Sequence, residues 1–198
     1  MEAYSEHVPK KNMHVNDKTA DDLMKHLQRT SVEVATNTNR WSVHSLRLLP
    51  KPICEVLALL LNLVEDVGRW PRPLAEGYIS RIPKGEGMQP TNMRPLSVLS
   101  AVYRLWAGIR LQAVMNWQEQ GIHPHAYGFR TGKGTGDAYI LLSTMVELTT
   151  LLDEKLYIVG LDYVKCFDRV PQAIILQVAA DLGLDPESVE QLGRWASI

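Results

Sequence analysis

The sequence predicts an α+β fold, and three observations carry that prediction. Apolar residues recur at helical spacing over long stretches, of which Ile53 to Val67 and Ser100 to Trp117 are clear cases. Shorter runs, Glu76 to Pro83, Arg94 to Leu99 and Tyr157 to Leu161, carry apolar residues in strand-like patterns. No internal repeat or low-complexity tract breaks this mixture, so an array or solenoid has no basis and a single mixed unit is the simpler account.

From the N-terminus, Met1 to Asn16 is polar without a period and reads as a loose end. Leu23, His26 and Leu27 then fall at helical spacing behind the capping residue Asp17, so a helix is expected over Asp17 to Gln28. Thr30 to Arg40 mixes small, polar and β-branched residues and reads as an extended or irregular connector. A helical approach begins at Ser45 and meets Pro50. Ile53 to Val67 follows, with an apolar face broad enough to be largely buried, and Gly68 ends it. In Trp70-Pro71-Arg72-Pro73 each proline fixes its own φ and biases its predecessor away from the helical region, which predicts an extended turn.

Glu76 to Pro83 is then strand-like, Lys84-Gly85-Glu86-Gly87 is a hairpin or loop tip, and Arg94 to Leu99 is the next strand. Ser100 opens an amphipathic helix through Trp106, Ile109, Val114 and Trp117, closed by Gly121; that spacing assigns both tryptophans to packing. Tyr127 to Gly136 is a glycine-rich basic loop, and Asp137 can cap a helix from Ala138 to Leu151. Tyr157 to Leu161 is expected as a short buried strand ending in Asp162. Pro171 to Leu182 forms a further helix, and Asp185-Pro186-Glu187 starts another.

Of the 198 residues, 45% are hydrophobic and 22% charged, which suits a domain with a real core and excludes disorder along the whole chain. Cys54 and Cys166 lie far apart without a Cys-x-x-Cys pair, so both read as reduced thiols and nothing suggests zinc. The first residues, with Glu2, Glu6, Lys10 and Lys11, do not form a secretory signal, and an intracellular chain is expected, nucleus or cytoplasm not distinguished. Val56 to Val64, interrupted by Asn62, falls far short of the roughly 20 apolar residues a bilayer needs, so no membrane association is expected. A net charge of -1 conceals blocks: residues 69–133 carry +6 and residues 134–198 carry -6. A basic middle suits phosphates and an acidic end suits cations, although a chance spread of solvated charge accounts for the same numbers.

Asp162 is the most informative single residue, because a carboxylate at a strand end is rigidly aimed. Phosphoryl transfer asks chiefly for charge neutralisation, which cations held by carboxylates supply. Lys84 and Arg94 flank the hairpin tip, a point charge and a donor fork suited to phosphate oxygens. In Tyr127-Gly128-Phe129-Arg130-Thr131-Gly132-Lys133 the glycines permit close approach to a backbone, while Arg130 and Lys133 can reach phosphates. The spacing from Gly128 to Gly132-Lys133, followed by Gly134, is wrong for a nucleotide-binding P-loop. His123 and His125 flank Pro124 in what reads as a solvent-facing turn. Each residue taken alone has a plainer reading: Asp162 a cap, Phe167 a core aromatic, Lys84 a solvated tip, the glycine segment a surface loop.

Taken in order, Ile82-Pro83-Lys84-Gly85, Asn92-Met93-Arg94-Pro95-Leu96-Ser97, Tyr127 to Ala138 and the Asp162-x-x-Lys165-x-Phe167-Asp168 segment resemble reverse transcriptases, particularly those of non-LTR retrotransposons. The likeness runs from about Ser45 to the end. It implies the fingers and first part of the palm of a right-hand polymerase fold: residues 1–44 as N-terminal tail and helix, 45–150 as fingers-like region, 151–198 as the start of the palm. It implies RNA-directed DNA polymerisation by two-metal nucleotidyl transfer, on an RNA template with a DNA primer and deoxynucleoside triphosphates. By the same resemblance Asp162 would bind both magnesium ions and the Tyr163 carbonyl would complete one coordination shell. Lys84 and Arg94 would hold the triphosphate, and Phe167 would act as the steric gate against a 2′-hydroxyl. Gly128, Phe129, Arg130 and Lys133 would lie beside the template.

Departures matter too. Many relatives carry a Gly-Pro-Asp-Gly turn before the tryptophan, whereas this chain has Thr38-Asn39-Arg40 before Trp41, and Cys166 stands where alanine is common. The 198 residues contain neither a Tyr-x-Asp-Asp hairpin nor room for a thumb, and Asp168 is too far along the chain to substitute. The expectation is therefore a family fragment, inactive as an isolated chain. The alternatives are a non-catalytic nucleic-acid-binding relic of a retroelement polymerase and, more distantly, a helical interaction protein.

Overall fold

Thr19, two residues later than the sequence suggests, starts the first helix. In the computed structural model, which describes residues 12–33, 35–36, 40–83, 85, 93–163, 169–184, 186, 189–190 and 193, helix α1 spans Ala20–Arg29. The Asp22 carboxylate accepts the Thr19 N–H at 2.9 Å and its hydroxyl at 2.7 Å, and Thr19 Oγ1 accepts the Asp22 N–H at 3.3 Å. This reciprocal cap satisfies donors that the helix end otherwise leaves orphaned. Asp17 is displaced from capping because the next residue is already committed: Asn62 binds both backbone groups of Lys18.

The chain divides into two compact units, His14–Val114 with Asp185–Ile198, and Met115–Leu184 with Met1–Met13. In the first, α1 packs on α2 (Val43–Arg47) and α3 (Lys51–Val67). Arg47 donates to the carbonyls of Leu27, Gln28 and Thr30, placing a cation on the C-terminal end of α1 where the helix dipole favours one. Gly68 stops α3 at φ 67°, a left-handed position that glycine adopts without a Cβ penalty. The core joins Leu23, Leu27, Leu46, Ala58, Leu61 and Val64 to Trp70 and to Val102, Leu105 and Trp106 of α5 (Ala101–Gln118).

Two expectations are corrected here. The broad apolar face of α3 is only partly covered: Cys54, Ala58, Leu61, Val64 and Glu65 are buried, while Val56, Leu59 and Leu63 stay exposed. Trp70-Pro71-Arg72-Pro73 does not remain extended. Pro71 caps a short helix α4 (Arg72–Ala75), because proline is tolerated in a first turn, where its missing N–H has no partner to lose.

Glu65 is a charged residue inside this core. Its carboxylate accepts from Trp106 Nε1 at 2.5 Å and Arg110 Nε at 2.6 Å, and pairs with Arg110 Nη2 and Lys18 Nζ. Burial alone pushes the Glu65 carboxyl up, but hydrogen bonds to Arg110 and Lys18 outweigh it and hold the group below the usual carboxylate range. Burial pulls the Lys18 ammonium down to about 8 despite the opposing pull of Glu65. Around this group Trp70, Tyr103 and Trp106 pack with centroids 5.0, 5.3 and 5.4 Å apart, tilted or edge-on as ring quadrupoles prefer. Helices α1 and α5 approach closely at Gly108, where a Cβ would meet His26 Nε2 at 2.3 Å.

Strands β1 (Tyr78–Pro83) and β2 (Met93–Val98) form an antiparallel two-stranded sheet with Tyr78 opposite Val98 and Pro83 opposite Met93. Pro83 and Pro95 fit because, among the described residues, each strand has an unpaired edge.

The second unit contains the last turn of α5, a loop, α6 (Thr135–Leu151) and α7 (Gln172–Asp181), with Met13 bridging to Leu184. Neither α6 nor α7 has a buried residue. Tyr157 to Leu161, expected as a buried strand, is neither: it has no strand partner among the described residues, and Tyr157, Val159 and Leu161 are 80% or more exposed. β-propensity cannot substitute for a partner, since an isolated strand leaves its ladder donors and acceptors unsatisfied. Among the described residues no helix is long and apolar enough to cross a membrane.

Candidate active site and nucleic-acid interface

The ladder register decides which hairpin side chains share a face. Tyr78, Val98, Ser80, Leu96, Ile82 and Arg94 lie on one side, and Ile79, Ser97, Arg81 and Pro95 on the other. Arg94 is therefore presented on a short rigid ladder, solvent-exposed, and among the described residues it makes no ion pair. Arg81, also exposed, points from the opposite face. Lys84, the expected partner of Arg94, lies outside the described residues.

The glycine-rich loop is built around Arg130. Its Nε donates to both Glu119 carboxylate oxygens at 3.1 and 3.0 Å, Nη2 reaches the same carboxylate, and Nη1 donates to the carbonyls of His123 and Ala126 at 3.2 and 3.1 Å. The Arg130 hydrogen bond holds the Glu119 carboxyl below the usual carboxylate range, and the same contact raises the guanidinium further. Phe129 sits at φ 57° and is 84% exposed as a residue, and Gly132 follows at φ 73°. Lys133 is exposed. Gly134, not Asp137, is the N-cap of α6; the Asp137 carboxylate accepts the Gly134 N–H at 2.8 Å from the first turn. Gly128, Phe129, Arg130 and Lys133 thus share one ordered turn. His123 and His125 close the preceding turn, with the His125 N–H donating to His123 Nδ1 at 3.2 Å.

Asp162 and Tyr163 follow the exposed segment and are themselves exposed, and among the described residues Asp162 makes no ion pair. A carboxylate and a carbonyl are hard oxygen donors of the kind magnesium takes. Among the described residues, however, no group of three metal-ligating side chains assembles, so the donor set fits such an ion in kind and not in number. Phe167, with Lys165 and Asp168, lies outside the described residues. Arg94 belongs to the first unit, whereas Asp162 and the glycine loop belong to the second.

Sequence reasoning missed Glu119, the counter-charge that engages the loop arginine. The signal was available: it is the lone acidic residue between Glu86 and Asp137, four residues before the histidine turn.

Residues 82–196, more than half of the chain, match the family model described as reverse transcriptase (RNA-dependent DNA polymerase), and the chain belongs to that family. It is 28% identical over 160 residues to an RNA-directed DNA polymerase from mobile element jockey of Drosophila melanogaster, covering 77% of this chain and 17% of that protein. It is 31% identical over 122 residues to a retrovirus-related Pol polyprotein from type-1 retrotransposable element R2 of Popillia japonica, covering 60% of this chain and 16% of the relative. A probable RNA-directed DNA polymerase from transposon BS of Drosophila melanogaster is 31% identical over 134 residues, 64% of this chain and 14% of the relative. The chain spans about a sixth of the length of these relatives. An α+β chain of the reverse transcriptase family, similar to polymerases of non-LTR retrotransposons, is what fold and comparisons together define.

Proposed function

We propose that this chain is the nucleotide-facing part of an RNA-directed DNA polymerase, with residues 1–44 as N-terminal tail and helix, 45–150 as fingers-like region and 151–198 as the start of the palm. Arg94 carries the reading: an exposed guanidinium on a ladder face, without an ion pair among the described residues, is poised for a charge-assisted bond to a triphosphate oxygen. Lys84 adds a second cation to the triphosphate, and Phe167 lies against the sugar and selects the deoxy form. Gly128, Phe129, Arg130 and Lys133 face an RNA template paired to a DNA primer. Asp162 and the Tyr163 carbonyl would hold magnesium, which when bound neutralises charge developing on the phosphates. The chain's own residues bind and orient: the arginine fork fixes the triphosphate, and the exposed Asp162 carboxylate offers a ligand free of any competing ion pair among the described residues. We place the protein inside the cell, away from membranes.

A second reading has its own support. With one carboxylate at the site among the described residues and no Tyr-x-Asp-Asp in the sequence, the isolated chain binds nucleotide and nucleic acid without polymerising. Titration of the chain with a fluorescent deoxynucleoside triphosphate, with and without magnesium, tests the site. Arg94→Ala is expected to weaken binding by about tenfold or more, the worth of a hydrogen bond to a charged group, and Asp162→Ala to remove the magnesium dependence. No primer extension is expected from the chain alone. Nucleotide affinity indifferent to Arg94→Ala would sink the assignment, and extension abolished by Asp162→Ala would favour full catalysis over the binding-only reading.

A further inference from the structure

We propose that Glu119 and Arg130 are positioning residues that lock the Tyr127–Gly136 turn and hold the Phe129 ring out as a stacking surface for an unpaired base of single-stranded nucleic acid. Given the template-facing reading of this turn, on which this assignment rests, the work divides among its residues. Arg130 has little left for a phosphate. Its Nε and Nη2 are taken by the Glu119 carboxylate, its Nη1 by the His123 and Ala126 carbonyls and, at 3.4 Å, that of Pro124, and its side chain is only 10% exposed. The guanidinium is a bracket joining the end of α5 to the turn it precedes.

Phe129 explains what the bracket is for. A bulky residue at φ 57° is disfavoured and persists only where its surroundings over-determine it. The carbonyl and carboxylate contacts of its neighbour do that, and Phe129 as a residue is left 84% exposed. The glycines point the same way. Gly132, at φ 73°, needs its missing side chain for conformation, but a Cβ at Gly128, Gly134 or Gly136 would meet nothing within 4 Å. Internal packing does not demand glycine there, and the open space leaves room for a polymer backbone to lie close against the turn. Lys133, exposed, supplies the phosphate contact. The N-terminus of α6 does not, since the Asp137 carboxylate already occupies its first turn.

Phe129 and Phe167 are the two phenylalanines of the sequence, so fluorophenylalanine incorporated throughout the chain gives two fluorine NMR resonances, assigned with Phe129→Leu. A short oligouridylate is titrated while fluorescence anisotropy of a labelled copy gives affinity as a function of salt. The Phe129 resonance is expected to move on binding. Phe129→Leu should weaken binding about tenfold with an unchanged salt slope, as loss of stacking does. Lys133→Gln should reduce the slope by about 0.7, the value for one released counterion on a single strand. Arg130→Gln and the milder Glu119→Gln, which keeps the carbonyl contacts, should weaken binding with the slope intact and blunt the Phe129 shift. Arg130→Lys should not rescue, because one ammonium cannot span the carboxylate and the carbonyls. Bound RNA with an unmoved Phe129 resonance, or a slope lowered by about 0.7 in Arg130→Gln, overturns this assignment and leaves the template reading standing. Absence of RNA binding overturns both.

Discussion

Asn62 holds Lys18 by both of its backbone groups: Oδ1 accepts the Lys18 N–H at 2.9 Å and Nδ2 donates to the Lys18 carbonyl at 3.0 Å. One amide side chain thereby ties the segment before α1 to the middle of α3. Asn62→Ala strands a donor and an acceptor, and a loss of about 1–3 kcal/mol is expected from urea unfolding. Asn62→Asp keeps the acceptor but sets a carboxylate oxygen against the Lys18 carbonyl, so it should not restore stability. A stability equal to wild type in Asn62→Ala would mean that water replaces the amide at no cost.

Glu65 serves two cations, and its removal leaves both without their counter-charge. Glu65→Gln is expected to cost about 3–5 kcal/mol, the penalty for breaking a buried pair on one side only. Lys18→Met keeps Glu65 with Arg110 and replaces a poorly solvated ammonium by an apolar chain, so stability near neutral pH should hold or rise. If the lysine variant proves the worse of the two, the ammonium contributes more than its burial costs.

The same lysine sets a pH dependence. Its folded-state value, about 8, lies below the ordinary 10.5, so between those limits the unfolded chain binds more protons than the folded one. Stability must then rise with pH across that window, the burial penalty being fully present below it. Wild type compared with Lys18→Met should show the excess slope in denaturant midpoints. Parallel curves would place the ammonium in solvent.

Trp70 and Trp106 touch edge to face, yet their indole nitrogens differ. Trp106 donates to Glu65, while Trp70 Nε1 is buried without an acceptor among the described residues. Trp70→Phe removes an unsatisfied donor along with some packing and should cost less than Trp106→Phe, which strips a donor from a buried carboxylate. Thermal unfolding of the two variants gives the order directly, and the reverse order would contradict the hydrogen-bond assignment.

The exposed Tyr157 to Leu161 segment is an apolar stretch without a strand partner among the described residues, the kind of template that recruits other chains. Val159→Lys should lower light scattering of concentrated protein while leaving the unfolding midpoint within about 0.5 kcal/mol, as for a surface substitution. Unchanged scattering would locate self-association elsewhere.

Helices were readable in the sequence wherever apolar spacing meets a core, as at Leu23 with Leu27 and at Leu61 with Val64. Their starts were less so, because Asp17 and Thr19 are equally good caps in isolation and Asn62, forty-four residues from Lys18, decides between them. Nothing local marks Glu65 as buried, for the same reason: its partners Lys18 and Arg110 are remote in sequence, and charge alone predicts solvent. The strand expected at Tyr157 followed residue type, whereas a strand is a relationship between two segments. At the site, Arg94 and the turn around Phe129 were legible as motifs, but the engagement of Arg130 by Glu119 depends on the bend between α5 and the loop, which no motif encodes.

The contact between Gly108 and His26 reaches beyond stability into heredity. Burial keeps the His26 imidazole below its usual pKa, and its Nε2 lies where any side chain at position 108 would begin. A methyl group at position 108 therefore requires the His26 ring to move, and meets no such obstacle once position 26 carries something shorter. The two sites are coupled for drift, so among descendants of this sequence a larger residue at 108 should be accompanied by a turned or smaller side chain at 26.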